Sequence, residues 1–214
     1  MLTIIQARTN SKRFRNKVLE EIYGKSLVQH VFERVGKSKK VSRIIVATSD
    51  KKTDDNLVKH LKKNKIEFYR GDLSNVSLRI LKLLEKLKKK IFIRICCDSP
   101  IISYTLLNKA IQIHKKNPNK FDIITNVFPR SYPSGQSVEL IKTNLLKENI
   151  KFFNKKDKEH VTTYFYRNKK NFKIKNFTMD IKKKYIKMSI DTKYDLKKLL
   201  SKFNTKKKFD NFKI

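Results

Sequence analysis

The sequence predicts an α/β fold in which a mostly parallel sheet carries helices on both faces. Short β-branched apolar runs recur through the first 126 residues, stretches with apolar residues at helical spacing lie between them, and the two alternate as β-α-β-α-β-α-β-α-β. At 214 residues the chain has the length of one larger domain and buries roughly 70% of its unfolded surface, enough to hold a core without disulfides or metal staples.

Residues 2–7 and 43–48 (RIIVAT) read as buried strands, as do 66–69, 91–97 and 122–126 (DIITN). Leu27, Val28, Val31, Phe32 and Val35 share one helical face, and Val76, Ile80, Leu84 and Leu87 share another. Leu106, Leu107, Ala110, Ile111 and His114 form a third stripe, with Ser103 placed to cap its start. After Asn126 the rhythm changes. A Pro/Gly segment, FPRSYPSG, leads to an expected strand at 137–142, then helices near 143–153 and 158–169, strands at 172–178 and 187–190, and a closing helix at 192–203. The expected organisation is a single domain, with a core at 1–126, an extension at 127–178 and a return to the core at 179–214.

The net charge of +34 invites a nucleic-acid reading, since clustered cations neutralise phosphates. The composition argues otherwise. Of the 53 basic residues 43 are Lys and 10 are Arg, and Lys, Asn, Ile, Phe and Tyr fill about half the chain, as an A/T-rich genome would produce. Nucleic-acid readers lean on the planar fork of Arg. Cys96 and Cys97 are adjacent and point to opposite faces if in a strand, so they make poor disulfide partners. No apolar run approaches the ~18 residues a spanning helix needs, and MLTIIQAR lacks the pattern of a leader. The expectation is a reduced, cytoplasmic protein with no membrane partner.

Open α/β sheets bind ligands at the carboxyl ends of their strands. The first such loop, ARTNSKRFRNKVL, places Arg8, Ser11, Arg13, Arg15 and Lys17 directly after a buried strand, with no acid before Glu20. Cations and backbone N–H groups at a strand exit suit a di- or triphosphate, although the P-loop pattern is absent. A solvated basic loop is the bland alternative, but three of its five cations are Arg in a chain that has ten. Asp98 follows the fourth strand in IFIRICCDSPII and precedes Pro100, where the chain must turn. A carboxylate facing a phosphate loop is what Mg²⁺ needs; a capping role is the alternative.

These residues resemble a family. IIQARTNSKRFRNKVL is similar to the IIQARxGSxRxxxKxL signature of CMP-sugar synthetases, closest to the spore-coat polysaccharide cytidylyltransferase branch and acylneuraminate cytidylyltransferase-like. RIIVATSD, RGDLSNVSLR, RICCDSPII, YPSGQSVEL, EHVTTY and SIDTKYDL follow in the family's order over nearly the whole chain. The resemblance implies a Rossmann-like fold of the nucleotide-diphospho-sugar transferase type and a homodimer built through 130–170, where Phe152, Phe153, Tyr164, Phe165 and Tyr166 could form a contact or ordinary core.

Carried over by position, Ala7, Arg8, Ser11, Arg13 and Lys17 match the triphosphate loop, and Arg8, Arg13, Lys17 and Asp98 are the expected catalytic set. Asp98 and Asp191 match the Mg²⁺ carboxylates; Arg70, Gly71 and Arg79 fall in the nucleotide block; Gly135, Glu139, Glu159 and His160 match the sugar side. The implied reaction transfers CMP from CTP to the hydroxyl of an acidic or amino sugar, releasing pyrophosphate. His160 is a candidate base by residue type alone. Departures are Asn10 for the loop glycine, Arg15-Asn16 for Pro-Gly, Cys96-Cys97 for Thr-Gly, and Ser103 and Ser137 where acids are usual. Alternatives are a sugar-1-phosphate nucleotidyltransferase, whose Gly-rich loop is absent, a degenerate member, and a basic nucleic-acid-binding protein.

Overall fold

The structure, a computed structural model, describes residues 1–179 and 187–214. Nine strands are present among them: β1 (Leu2–Gln6), β2 (Glu21–Ile22), β3 (Lys25–Ser26), β4 (Arg43–Ser49), β5 (Phe68–Gly71), β6 (Ile91–Cys96), β7 (Ile123–Thr125), β8 (Glu139–Lys142) and β9 (Ile174–Asn176). The helices are α1 (Leu27–Gly36), α2 (Asp55–Lys63), α3 (Val76–Lys86), α4 (Tyr104–Lys116), α5 (Thr143–Asn149), α6 (Lys155–His160), α7 (Thr163–Arg167), α8 (Lys193–Lys202) and α9 (Lys206–Asn211).

Seven strands form one sheet in the order β5-β4-β1-β6-β8-β7-β9, in which β8 alone runs antiparallel to its neighbours. The β-branched run of β1 is buried on both faces, as a central strand must be. Its neighbours Ile4 and Ile5 divide between two cores. Ile5 packs with Val28, Val31, Leu61, Leu107 and Leu199 under α1, α2, α4 and α8, whereas Ile4 packs with Ile80, Leu84, Phe92 and Leu146 under α3 and α5. Helices on both faces therefore follow from strand alternation.

Local chemistry explains the boundaries. Ser26 and Gln29 make a reciprocal capping box that starts α1, and the Asn75 side chain caps α3. Ser103 stands at the N-cap of α4 without making the cap bond: its hydroxyl pairs with Thr105 Oγ1 (2.7 Å) instead. The expected strand at 66–69 begins two residues later, because Lys65 turns left-handed (φ 55°) and lets Ile66 N–H bond Leu61 O, closing α2. The helix expected over 158–169 is two short helices, broken where Val161 takes φ 48°. Residues 187–190 form no strand. They are tied by single bonds, Met188 N–H to Ser134 O and Ile190 N–H to Asp98 O, both 2.8 Å. The strands expected at 137–142 and 172–178 are shorter, as β8 and β9, and residues 180–186 of the expected return lie outside the described residues. A small hairpin, β2–β3, turns through positive φ at Tyr23 and Gly24.

Candidate active site

The carboxyl ends of β1 and β6 lie side by side, since Gln6 pairs with Cys96 in register. The loop after β1 is held from below by Asp54, which is fully buried. Its carboxylate accepts from Thr9 N–H (2.7 Å), Thr9 Oγ1 (2.6 Å), Ser49 N–H and Thr48 Oγ1 (both 3.0 Å), and from the Ser49 hydroxyl. Burial pushes this carboxyl up, but the Ser49 and Thr9 donors outweigh it and hold it below the usual carboxylate range. The loop's left-handed residue is Asn16 (φ 58°), not Asn10, so the Asn that replaces a family glycine sits where Asn tolerates that conformation.

Above this loop is a cavity of ≈ 210 Å³ whose walls include Ala7, Arg8, Ser11, Arg13, Lys17, Asp98, Glu159, His160 and Asp191. Residues from four distant stretches of the chain thus line one cavity. Among the described residues, three of the four ion pairs here cross the fold, and the fourth is local. Arg8 pairs with Glu159; Arg13 Nη2 lies 2.9 Å and Lys17 Nζ 3.7 Å from Asp191 Oδ1; Lys187 Nζ lies 2.8 Å from Asp191 Oδ2. Burial pushes the Asp191 carboxyl up, yet Lys187, Lys17 and Arg13 hold it below the ordinary range. Asp98 accepts from Ser99 Oγ at 2.8 Å. Cys96 and Cys97 both line this cavity, Cys97 also belonging to the core, and burial pushes the Cys96 thiol up to about 11.

A second cavity of ≈ 450 Å³ opens from the first, sharing Arg94, Cys96, Asp98 and His160 with it. Gly135, Ser137, Glu139, Thr162, Tyr166 and Ser189 line it, together with the cations Arg130 and Lys156. The antiparallel register of β6 and β8 puts Arg94 opposite Glu139 and makes them a buried ion pair. Glu139 Oε1 also accepts from Thr162 Oγ1 and Tyr166 OH, both 2.7 Å. Its carboxylate is thus consumed by three protein donors and organises the wall. Gly135 (φ +94°) is required by close approach, because a Cβ there would stand 2.5 Å from the Met188 carbonyl carbon. Arg130 Nη2 donates to Ser137 Oγ at 3.1 Å, and among the described residues this guanidinium has no carboxylate partner.

Arg70, Gly71 and Arg79 line neither cavity. Arg70 bonds Ser49 O and Lys51 O (both 2.9 Å) and pairs with Asp55, fixing the loop after β4. Gly71 packs on the Arg79 methylenes. Arg79 is 0% exposed; Nη1 donates to Asp72 O at 2.8 Å, while Nε and Nη2 have no partner among the described residues. Burial pulls its guanidinium down to about 10. Sequence reasoning missed Asp54, Arg94, Arg130, Lys156 and Lys187, and named Tyr166 only as a contact or core aromatic. Only Arg94 carried a signal, as a charge inside the apolar run IFIRIC.

A family model described as cytidylyltransferase matches residues 2–210. The chain belongs to the cytidylyltransferase family. It is therefore a nucleotidyltransferase. Among curated relatives, an uncharacterised protein of Methanocaldococcus jannaschii is 33% identical over 197 residues, covering 90% of this chain and 78% of that one. The spore coat polysaccharide biosynthesis protein SpsF of Bacillus subtilis is 34% identical over 170 residues, covering 77% and 69%. A solved cytidylyltransferase from Leptospira borgpetersenii superposes with a TM-score of 0.86 at 22% identity over 100% of this chain and 98% of that one, a likeness of fold. No helix among the described residues is long and apolar enough to cross a membrane.

Proposed function

We propose that this cytidylyltransferase moves CMP from CTP to a sugar hydroxyl for surface polysaccharide, as the likeness to SpsF suggests. The observation that carries the reading is the meeting of two cavities at Asp98, one rimmed by phosphate-binding cations and one by hydroxyls. In the transfer, a bond forms between the sugar oxygen and the α-phosphorus, the bond from the α-phosphorus to the bridging oxygen breaks, pyrophosphate leaves, and the hydroxyl proton passes to water. Such chemistry asks chiefly for positioning and charge neutralisation. Arg8, Arg13 and Lys17 hold the β- and γ-phosphates and offset the charge that builds on the leaving group. Arg130 and Lys156 suit an acidic acceptor better than an amino one. His160, at the junction of the cavities, is positioned to orient the acceptor.

Magnesium is the implied metal, and the residues fit it. Asp98 and Asp191 are hard oxygen donors on the same cavity, their segments joined by the Ile190 N–H to Asp98 O bond. Among the described residues no group of three or more metal-binding side chains gathers, so phosphate oxygens would complete the shell. Bound there, Mg²⁺ would neutralise phosphate charge and lower the pKa of the acceptor hydroxyl. A homodimer through 130–170 belongs to this reading: Phe152 is 59% exposed and stacks on Tyr164, whereas Phe153 and Phe165 are core.

The test is pyrophosphate release from CTP and Mg²⁺ against a panel of acidic, amino and neutral sugars, with ATP, GTP and UTP as controls. Release specific to CTP and an acidic sugar supports the proposal. Turnover only with sugar 1-phosphates favours the related transferase, and no CTP binding by calorimetry favours a degenerate member.

A further inference from the structure

Asp191 is held by cations from two directions. Arg13 and Lys17, on the loop after β1, face Oδ1, and Lys187, four residues upstream, lies 2.8 Å from Oδ2. Lys187 Nζ also sits 2.9 Å from Asp195 Oδ2, which accepts from the N–H groups of Asp191 (3.0 Å) and Thr192 (2.9 Å) and so begins α8. The lysine thereby fixes the carboxylate to the start of a helix. Asp98 makes no ion pair among the described residues; its carboxylate meets only the Ser99 hydroxyl. Three cations thus stand against three carboxylates in this part of the cleft. A divalent cation arriving alone would have to displace Lys187 and would leave the cluster with an excess of positive charge. A polyphosphate removes that obstacle by giving Arg13, Lys17 and Lys187 new partners.

We propose that Lys187 is a positioning residue that keeps Asp191 ion-paired until a nucleotide's phosphates draw the cations away, so that metal and nucleotide bind as a coupled unit. The proposal rests on the reading of Asp98 and Asp191 as metal ligands. It makes Lys187 responsible for a linkage: nucleotide raises metal affinity, and metal raises nucleotide affinity by the same factor.

Free Mn²⁺ can be followed by electron paramagnetic resonance in the full-length protein, with and without α,β-methylene-CTP. The wild type should bind Mn²⁺ weakly alone and at least about tenfold more tightly with the analogue, within the usual range of such couplings. Lys187→Met should bind Mn²⁺ alone about tenfold better than the wild type and lose most of the coupling. Lys187→Arg should restore it. A merely structural lysine would change the melting temperature and leave the coupling in place. Equal Mn²⁺ affinity with and without analogue in the wild type, or unchanged nucleotide-free binding in Lys187→Met, overturns the proposal. Nucleotide-dependent Mn²⁺ binding that persists in Asp191→Asn overturns the metal reading itself and the proposal with it. Loss of that binding in Asp191→Asn, with Lys187→Met unchanged, overturns the Lys187 role alone.

Discussion

Asp54 Oδ1 accepts two hydrogen bonds from one residue, Thr9, through its N–H at 2.7 Å and its hydroxyl at 2.6 Å. A single carboxylate at the exit of β4 therefore fixes the loop that follows β1, and that loop carries Arg8, Arg13 and Lys17. Asp54→Asn turns an NH₂ toward donors that need an acceptor. It should lower stability by about 2–4 kcal/mol in urea titrations, as expected when a buried charged acceptor is lost, and weaken CTP binding. Unchanged CTP affinity in the folded variant would mean that the loop holds its shape unaided.

The Arg8–Glu159 pair joins side chains 151 residues apart and stands where phosphates are expected. Glu159→Gln removes a carboxylate that competes for Arg8. The pair is a third to two fifths exposed, so its own contribution to stability is small. CTP affinity measured by calorimetry should rise about three- to tenfold, with the melting temperature nearly constant. A fall in affinity would make Glu159 a nucleotide ligand instead of a competitor.

Arg79 is fully buried, with two donors unpaired among the described residues. Truncating a buried side chain of this size ordinarily costs about 2–5 kcal/mol. Here Arg79→Met also removes an unsatisfied cation, and the two effects oppose each other, so the net change should be within about 1 kcal/mol. Arg79 lines neither cavity and holds Asp72 O, so a nucleotide role predicts that CTP affinity falls by more than stability does. Thermal melts with and without CTP separate the two outcomes. A cost in the ligand-free protein as large as the ordinary one would show that Arg79 is structural.

Acid should destabilise the protein in two stages. Burial lowers the pKa of His30, and its bond to Ile22 O (2.6 Å) only partly offsets this. The unfolded chain then takes up the proton first, so the stability due to neutral His30 is present above pH ~6.5 and is lost as pH falls through the lower folded value. The depressed carboxyls of Asp54, Asp72 and Asp195, the last near 2, contribute above pH ~4 and are lost below it. Melting temperatures recorded from pH 8 to 3 should decline from about pH 6.5 and again below about 4. The first decline should shrink in His30→Gln. An equal slope in that variant would assign it to other groups.

The residues dictated more of the core than of the sugar side. Alternating buried runs and amphipathic stretches are local patterns, so the parallel half of the sheet and both helical layers were legible along the chain. The first loop and Asp98 were legible too, because their chemistry is concentrated in short contiguous segments. Beyond Asn126 the elements are short and their boundaries depend on distant partners. Val161 breaks a helix, and residues 187–190 join no strand, their backbone N–H groups reaching the loops at Ser134 and Asp98.

The sequence by itself determined an α/β nucleotide-binding chain with cations after its first strand and an aspartate after its fourth, since periodicity and strand-exit chemistry are properties of neighbours. Only the tertiary structure decided which charges meet. Register across β6 and β8 joined Arg94 to Glu139; chain return brought Asp191 and Lys187 to Arg13; and Asp54, unremarkable in SDKKTDD, became the anchor of the loop. An ion pair or a buried acceptor depends on distance in space, which spacing along the chain does not encode once a sheet has been assembled.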